Sequence, residues 1–258
     1  MANYLVTGGC GFIGSHLADS LIADGHGVRI IDDLSTGKRA NAPEGAEVIV
    51  NTIVDGAAVA RALDGMDGCF HLAAVASVQK GVEDWAGTHR VNLEGTIHVF
   101  DGARGRDGGA VRPVVYASSA AVYGDNPAMP LTEESAARPI SAYGADKLGC
   151  EQHGLVAAHV HGVPNTGLRF FNVYGPRQDP RSPYSGVISI FADRIGRGDG
   201  VTIFGDGGQT RDFVYVGDVV RCLRAAMAAH ESAGAAKAAV YNVCTGRETT
   251  VTGLAETL

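Results

Sequence analysis

The sequence lacks the features that mark several large classes of protein. No apolar run approaches the roughly 18 residues that cross a membrane, and the net charge of −7 argues against a broad basic surface for nucleic acid. The five cysteines are scattered and form no C-x-x-C pair, which predicts a reduced protein without a disulfide framework. Neither an H-E-x-x-H motif nor a histidine pair at metal-ligand spacing occurs, so no metal site is expected.

The two ends of the sequence carry separate expectations. Met1 to Asn3 leads directly into an apolar segment, so no signal peptide is expected and the protein is predicted to be cytoplasmic. The sequence stops at Leu258, inside a helix expected to begin near Val251, which suggests that C-terminal residues are missing. The 258 residues suffice for one large α/β domain, alone or with a small lobe.

What the sequence does contain is a regular alternation of short apolar runs and helical stretches. Continuous apolar strands separated by helices are typical of a parallel sheet covered on both faces, so we predict a doubly wound α/β fold. The expected strands cover residues 4–6, 28–31, 47–50, 69–72, 113–116 and 166–170, and the expected helices cover 12–23, 57–63, 85–103 and 143–161.

The pattern becomes looser after residue 171. A loop is expected over 176–186, helices over 187–197 and 216–230, and short strands over 201–204 and 240–243. We therefore predict a Rossmann domain over residues 1–172 and a smaller substrate-binding lobe formed mainly by residues 173–258. Late elements from about 212–246 are expected to return to the first domain.

A glycine-rich turn follows the first predicted strand. At the spacing of Gly8, Gly11 and Gly14, the first glycines let a pyrophosphate approach the backbone, and the last lets the helix pack on the sheet. Asp32 ends the second strand, where it can accept hydrogen bonds from ribose hydroxyls and repel a 2′-phosphate. The pattern predicts NAD binding in preference to NADP. Glycines alone would indicate only a tight turn, and Asp33 can be read as an ordinary loop carboxylate.

A tyrosine and a lysine occur four residues apart near the middle of the chain. Tyr143 and Lys147 would share one helix face. Lowering a tyrosine pKa from ~10 to ~7 needs about 4 kcal/mol, which a nearby ammonium and a nicotinamide ring can supply. Ser119 ends the fifth strand, at the edge where ligands meet a parallel sheet. We predict hydride transfer at an alcohol carbon, with Tyr143 as base; a lone Tyr-x-x-x-Lys is more often an ordinary amphipathic helix.

Taken together, the motifs resemble those of the extended short-chain dehydrogenase/reductases of the NAD-dependent epimerase/dehydratase family. The resemblance is carried by residues 7–14, 32–37, 71–74, 91–92, 118–124, 143–147, 169–177 and 205–218. Family members often carry an aspartate for the adenine ring where this chain has Thr52. Besides Gly8, Gly11, Gly14, Asp32, Tyr143 and Lys147, the resemblance implies NAD contacts from Phe12, Ile13, Asp33, Ser35, Thr36, Gly37, Thr52, Ile53, Leu72, Ala73, Ala74, Asn92 and Phe171.

The later motifs are similar to those of the UDP-sugar 4-epimerases within that family. An arginine such as Arg211 suits a diphosphate because its planar fork binds phosphate oxygens in pairs; the alternative for Arg211 is a salt bridge with Asp206 or Asp212. The resemblance implies substrate contacts from Ser119, from Asn172 and Arg211 at the diphosphate, from Gly186 and Val187 near the nucleotide, and from Thr202 and Phe204 at the uracil.

The reaction that the resemblance implies is inversion at C4 of a UDP-hexose by transient oxidation. The sugar is expected to be UDP-glucose and UDP-galactose or their N-acetyl forms, and Ala76, where the galactose-type pattern has a lysine, favours the branch that also handles N-acetylated sugars. The open alternatives are a nucleotide-sugar dehydratase, a reductase, a UDP-glucuronate epimerase and a non-catalytic NAD-responsive protein. The resemblance also implies a homodimer through the two long helices. His71 is expected to be a packed, hydrogen-bonded histidine rather than a catalytic acid.

Overall fold

A parallel sheet runs through the molecule in the computed structural model, which describes residues 1–105, 109–180, 186–231 and 237–258. Within those residues the strands are β1 (Asn3–Thr7), β2 (Gly27–Asp32), β3 (Glu47–Val50), β4 (Gly68–His71), β5 (Val114–Ser119), β6 (Asn165–Phe170), β7 (Asn172–Tyr174), β8 (Thr210–Arg211), β9 (Phe213–Tyr215), β10 (Ala238–Val243) and β11 (Thr249–Thr250). Seven of these form the main sheet in the order β10-β6-β5-β4-β1-β2-β3.

Helices connect the strands and cover both faces of the sheet. In the same described residues they are α1 (Phe12–Ala23), α2 (Gly56–Leu63), α3 (Val78–Glu83), α4 (Trp85–His89), α5 (Gly95–Ala103), α6 (Ala142–His161), α7 (Val187–Gly196), α8 (Val216–Glu231) and α9 (Val251–Thr257). A π-helical turn (Arg90–Glu94) joins α4 to α5, and a 3-10 turn (Ala120–Tyr123) follows β5. No helix of this part of the chain is long and apolar enough to cross a membrane.

The apolar side chains of the sheet divide into two cores. On one face Leu17 of α1 and Leu223 of α8 pack with Val6 and Ile30. On the other face α2, α5 and α6 pack on the strands through residues such as Val99. Each fully buried Val or Leu of this kind stabilises the fold by about 1.5–3 kcal/mol relative to an exposed position. The predicted doubly wound parallel α/β fold is confirmed.

The strand order reverses beside β1. The chain runs from β1 outward through β2 and β3, then crosses to β4 on the other side of β1 and continues through β5, β6 and β10. A crevice opens at the carboxyl ends of the strands at such a reversal, and ligands of open α/β sheets bind there. β10 pairs with β6 and adds the last described strand of the main sheet.

The region after β6 differs in part from the prediction. The strand expected over 201–204 is wrong, because none of the described strands pairs with this segment; Ile203 instead packs against a small cluster around Phe191, Val251 and Leu254. The short pairs β7–β9 and β8–β11 form near it. The helix expected from Val251 is present, and the predicted loop over 176–186 falls partly, at 181–185, outside the described residues.

The long helix expected over 85–103 is present as a run of three segments. α4, the π-helical turn and α5 follow one another without a break. The π-helical turn contains Asn92, which is buried beside the loop that follows β4. π-turns of this kind are often found at functional sites.

Candidate active site

The glycine turn after β1 leaves no room for side chains. Gly8 has a φ of +69°, and a Cβ there would lie 2.8 Å from the backbone nitrogen of Ala73. A Cβ on Gly14 would overlap the carbonyl oxygen of Gly8. Gly11 caps α1 without a side-chain hydrogen bond, and the first turn of α1 has no acidic residue. The N–H groups of Gly8, Cys10 and Gly11 donate within the protein, so the N–H groups that can face an anion are those of the first turn of α1, which fits the pyrophosphate of a dinucleotide.

Asp32 lies at the end of β2, facing this turn. Its carboxylate is buried and accepts hydrogen bonds from the backbone N–H of Cys10 at 2.9 Å and of Leu34 at 2.9 Å. Burial raises the pKa of Asp32, and these two hydrogen bonds oppose that shift. Gly37 packs so closely that a Cβ would come within 2.8 Å of the Asp32 carboxylate. The lone pairs that the backbone leaves free can still accept hydrogen bonds from ribose hydroxyls.

The Asp33 carboxylate, unlike that of Asp32, is bonded within its own loop. Its Oδ1 accepts hydrogen bonds from the backbone N–H of Ser35 at 2.9 Å and from the Ser35 hydroxyl at 2.6 Å. Such a turn between a carboxylate and the backbone two residues on shapes a loop. The carboxylate of Asp33 therefore stabilises the loop that carries Ser35, Thr36 and Gly37.

Ser119, Tyr143 and Lys147 are the candidate reacting group of the site. Ser119 ends β5, and its hydroxyl accepts a hydrogen bond from the N–H of Ala121 at 3.2 Å. Lys147 is buried on α6, its Nζ donates to the carbonyl oxygen of Ala117 at 2.8 Å, and it lies 5.9 Å from the ring centroid of Tyr143. Two of its three donor positions thus remain for other partners. The arrangement places an ammonium beside a half-buried phenol at the carboxyl end of β5.

His71 is packed and hydrogen-bonded, as expected. The Thr96 hydroxyl donates to the carbonyl oxygen of Asn92 at 2.6 Å, so its oxygen accepts the proton of His71 Nε2 at 2.9 Å. His71 Nδ1 then accepts from the Thr7 hydroxyl at 2.7 Å. Burial, with a contribution from the nearby Lys147 ammonium, lowers the pKa of His71 to about 3. A histidine held neutral and bonded at both nitrogens is not placed to act as an acid.

Asn92 fixes the loop after β4. Its Oδ1 accepts from the N–H of Val75 at 2.8 Å, and its Nδ2 donates to the Val75 carbonyl oxygen at 3.2 Å. These two bonds tie the π-helical turn to residues 72–76. Asn92 therefore acts on the predicted cofactor cleft by holding this loop in place.

The predicted cofactor residues lie along one edge of the sheet. Thr52 and Ile53 follow β3, and the backbone N–H of the preceding Asn51 donates to the Asp32 carbonyl oxygen at 3.2 Å. The other strands deliver their predicted residues to the same carboxyl edge: Gly8, Gly11, Phe12, Ile13 and Gly14 after β1, Asp32 at the end of β2, Leu72, Ala73 and Ala74 after β4, Ser119 at the end of β5, and Phe171 after β6.

The predicted substrate residues are more open to solvent. Asn172 begins β7, and its Nδ2 donates to the Asp212 carbonyl oxygen at 3.1 Å. Arg211 is exposed on β8, and its Nη1 donates to the Thr210 carbonyl oxygen at 2.7 Å. Gly186 and Val187 begin α7, whereas Thr202 and Phe204 lie in irregular chain, where Phe204 is 82% exposed.

The alternative partners of Arg211 are engaged elsewhere. The Asp212 carboxylate accepts from the backbone and hydroxyl of Thr245 and from the N–H of Gly246, at 2.7–3.1 Å. Asp206 accepts from the N–H of Gly208 at 2.9 Å. These contacts therefore argue against a salt bridge from Arg211 to either aspartate. They favour an Arg211 guanidinium whose remaining donors face solvent or a ligand.

Sequence reasoning gave no role to a charged pair behind Ser119. Glu151 on α6 and Arg169 on β6 are buried and joined by a salt bridge at 2.7 Å. Two features of the sequence could have indicated this pair. Glu151 follows Lys147 by one helical turn, and Arg169 is the one charged residue of the buried strand β6.

Comparison with known proteins gives consistent matches over nearly the whole chain. The model of the NAD dependent epimerase/dehydratase family matches residues 4–244. The putative UDP-glucose 4-epimerase of Methanocaldococcus jannaschii is 38% identical over 97% of this chain and 79% of its own length. The crystal structure of Thermotoga maritima UDP-glucose 4-epimerase with UDP-glucose has a TM-score of 0.90 and 40% identity, covering 98% of this chain and 80% of its own. The UDP-N-acetylglucosamine 4-epimerase from Methanobrevibacter ruminantium, in complex with UDP-N-acetylmuramic acid, has a TM-score of 0.91 and 38% identity, covering 99% and 80%.

Proposed function

Since the chain belongs to the NAD-dependent epimerase/dehydratase family, we propose that it is an NAD-dependent epimerase that inverts the configuration at C4 of a UDP-hexose. The substrate pair is UDP-glucose and UDP-galactose or their N-acetyl forms. The observation that carries this proposal is the placement of Ser119 and the Tyr143–Lys147 pair at the same sheet edge as the glycine turn. The relatives named for UDP-sugar 4-epimerisation support it.

The chain's own residues divide the work of the reaction. Tyr143 takes the proton of the 4-hydroxyl, and Ser119 hydrogen-bonds the same oxygen so that it faces the phenol. The Lys147 ammonium lies 5.9 Å from the Tyr143 ring centroid, and its remaining donors would hold the cofactor ribose. The glycine turn and Asp32 would hold NAD, which would supply reversible hydride transfer at C4. Asn172 and Arg211 hold the diphosphate while the 4-keto sugar turns over.

Residues 1–172 are proposed to hold the cofactor, and residues from 173 onward mainly the sugar nucleotide. Gly186, Val187, Thr202 and Phe204 are assigned to the nucleotide end of the substrate. We also place the protein in the cytoplasm, because its five cysteines are free thiols.

The two residues that follow Ser119 argue against a dehydratase. Elimination of water needs an acid and a base beside the oxidised sugar. Ser119 is followed by Ala120 and Ala121 in a 3-10 turn, which supply neither. The intermediate therefore returns to a sugar alcohol rather than losing water.

A panel of UDP-sugars tests the proposed function. The protein is incubated with catalytic NAD and with UDP-glucose, UDP-N-acetylglucosamine or UDP-glucuronate, and the C4 epimers are read by NMR. We expect epimers of at least one of the first two. A panel without any C4 epimer would contradict the proposal.

Cofactor preference is expected to depend on Asp32. A 2′-phosphate would approach a buried carboxylate whose charge it repels, so the apoprotein should bind NAD at least about tenfold more tightly than NADP, a difference of about 1.4 kcal/mol. Asp32→Asn should reduce that ratio, whereas Asp33→Asn, which alters the neighbouring loop carboxylate, should keep it. Equal affinities of the unaltered protein for the two cofactors would refute the role of Asp32.

The exposed face of α6 supports a homodimer. Leu155, Val156 and Val160 are apolar and are 52%, 47% and 64% exposed on this helix. Light scattering should give twice the chain mass, and Val160→Glu should give monomers because it places a charge in the interface. Val50→Glu changes an equally exposed valine at the far edge strand β3 and should leave the dimer intact. A monomeric unaltered protein at micromolar concentration would exclude this interface.

A further inference from the structure

A buried ion pair lies directly behind the candidate reacting group. Glu151 and Arg169 are only 4% and 6% exposed. The guanidinium grips the carboxylate with two hydrogen bonds, Nε to Oε1 at 2.8 Å and Nη2 to Oε2 at 2.7 Å. Burying two charges costs so much hydration free energy that an apolar pair is often as stable or more stable. Stability alone is therefore a weak reason for this pair.

The remaining polar atoms of the pair connect it to its surroundings. The Ser118 hydroxyl donates to Glu151 Oε1 at 2.5 Å. Arg169 Nη1 donates to the Tyr123 hydroxyl at 2.7 Å, and its guanidinium lies 4.8 Å from the Tyr123 ring centroid. The Tyr123 hydroxyl in turn donates to Asn242 Oδ1 on β10 at 2.6 Å. We call Ser118, Tyr123, Glu151, Arg169 and Asn242 the strand-end network.

The network contacts each element that carries a reacting side chain. Ser118 directly precedes Ser119 on β5, and it is in register with Arg169 on β6. Glu151 lies one helical turn after Lys147 and two turns after Tyr143, on the same face of α6. Tyr123 ends the 3-10 turn that Ser119 caps. A shift of the ion pair would therefore move Ser119 relative to the tyrosine and lysine.

The covalent chain does little to fix that separation. β5 and α6 are joined through residues 120–141, which are irregular after the 3-10 turn. The network also binds this connection, since Arg169 Nη1 donates to the Glu133 carbonyl oxygen at 3.3 Å and Asn242 Nδ2 donates to that of Leu131 at 3.2 Å. A misplacement of about 1 Å between reacting groups can cost about 10²-fold in rate.

We propose that Glu151 and Arg169 are positioning residues, which hold Ser119 at the distance from Tyr143 and Lys147 that the reaction requires. They act through Ser118 and Tyr123 and not on the reacting atoms. The proposal rests on the proposed epimerase function where it is tested by kcat. Its test by amide hydrogen exchange does not depend on that function.

The test replaces the ion pair with an apolar pair. Glu151→Leu combined with Arg169→Met removes both charges together, so no unpaired charge remains buried. We expect a folded protein that retains NAD, with kcat lowered about 10²-fold and KM for the UDP-sugar little changed. Amide hydrogen exchange of residues 119–124 should become faster, above all at Ala121, whose N–H donates to Ser119.

A matched control lies at the other end of the same strand and helix. Asn165 is buried at the start of β6, and its Nδ2 donates to the carbonyl oxygens of Gly154 on α6 at 2.8 Å and of Val163 at 3.0 Å. Asn165→Ala removes buried hydrogen bonds between the same two elements, far from Ser119. It should lower thermal stability while leaving kcat and exchange at 119–124 unchanged.

A milder variant covers the case in which the double variant does not fold. Tyr123→Phe removes one contact of Arg169 and keeps the ring, so kcat should fall less, with the same constant KM and faster exchange. If the double variant folds and both its kcat and its hydrogen exchange are unchanged, the proposal is overturned. If only Tyr123→Phe folds, the same result in that variant overturns it. An equal fall in kcat in Asn165→Ala would also overturn it. If the unaltered protein turns over no UDP-sugar, the proposed function fails, and the exchange data alone decide whether the network holds Ser119.

Discussion

Tyr143→Phe is expected to lower turnover about 10²–10⁴-fold while NAD remains bound, which is the range by which general acid–base catalysis accelerates a reaction. The substitution removes the phenolic oxygen that, in the proposed reaction, accepts the proton of the sugar 4-hydroxyl. It keeps the aromatic ring, so the packing near Lys147, 5.9 Å from the ring centroid, is preserved. The measurement is kcat for the UDP-sugar, with bound NAD determined in the same preparation.

A second tyrosine provides the control for this substitution. Tyr241 on β10 is 55% exposed, and Tyr241→Phe makes the same chemical change outside the proposed site. It should retain the kcat of the unaltered protein. If Tyr143→Phe keeps more than a tenth of the activity, Tyr143 is not the base.

Gly14→Ala is expected to weaken NAD binding about 10²-fold, equivalent to about 2.8 kcal/mol. The new Cβ would overlap the carbonyl oxygen of Gly8 and come within 2.9 Å of Gly9 Cα. Gly8 cannot move away easily, because its φ is +69° and it already packs against the backbone of Ala73. Such overpacking should also lower the free energy of unfolding by about 1–3 kcal/mol.

The same substitution at two other glycines should have smaller effects on NAD binding. A Cβ on Gly11 would lie 3.2 Å from the Gly8 oxygen, so Gly11→Ala should weaken NAD binding less. A Cβ on Gly196, the last residue of α7, would meet no described atom within 4 Å apart from its chain neighbours and its own helix backbone, and Gly196→Ala should bind NAD normally. Calorimetric titration of the three apoproteins measures the series. Normal NAD affinity in Gly14→Ala would show that the turn does not cradle the pyrophosphate.

The sequence predicts best the parts of this protein that depend on local pattern. Strands such as β1 and β4 are continuous apolar runs, and the glycines after β1 have a spacing that few other structures require. Ser119 and Asp32 could be placed at strand ends because a parallel sheet brings all its carboxyl ends to one edge. The sheet edge and most of the candidate cofactor cleft therefore follow from one-dimensional information.

The parts that the sequence predicts poorly depend on contacts between distant segments. Residues 201–204 have the composition of a strand, but a strand needs a partner, and Ile203 instead packs beside Phe191. The Glu151–Arg169 pair forms between α6 and β6, and neither residue alone indicates its partner. The π-helical turn at Asn92 likewise depends on the loop that it holds at Val75.

The measurement that tests the account most directly uses a UDP-sugar labelled with deuterium at C4. Ser119 is followed by two alanines, which supply neither the acid nor the base that elimination of water needs. We predict that the epimerised product keeps the deuterium at C4 and that NADH absorbance does not rise in proportion to turnover. Transfer of the label to C6 with loss of water would reveal a dehydratase, and stoichiometric NADH would reveal a dehydrogenase; either result would contradict 4-epimerisation.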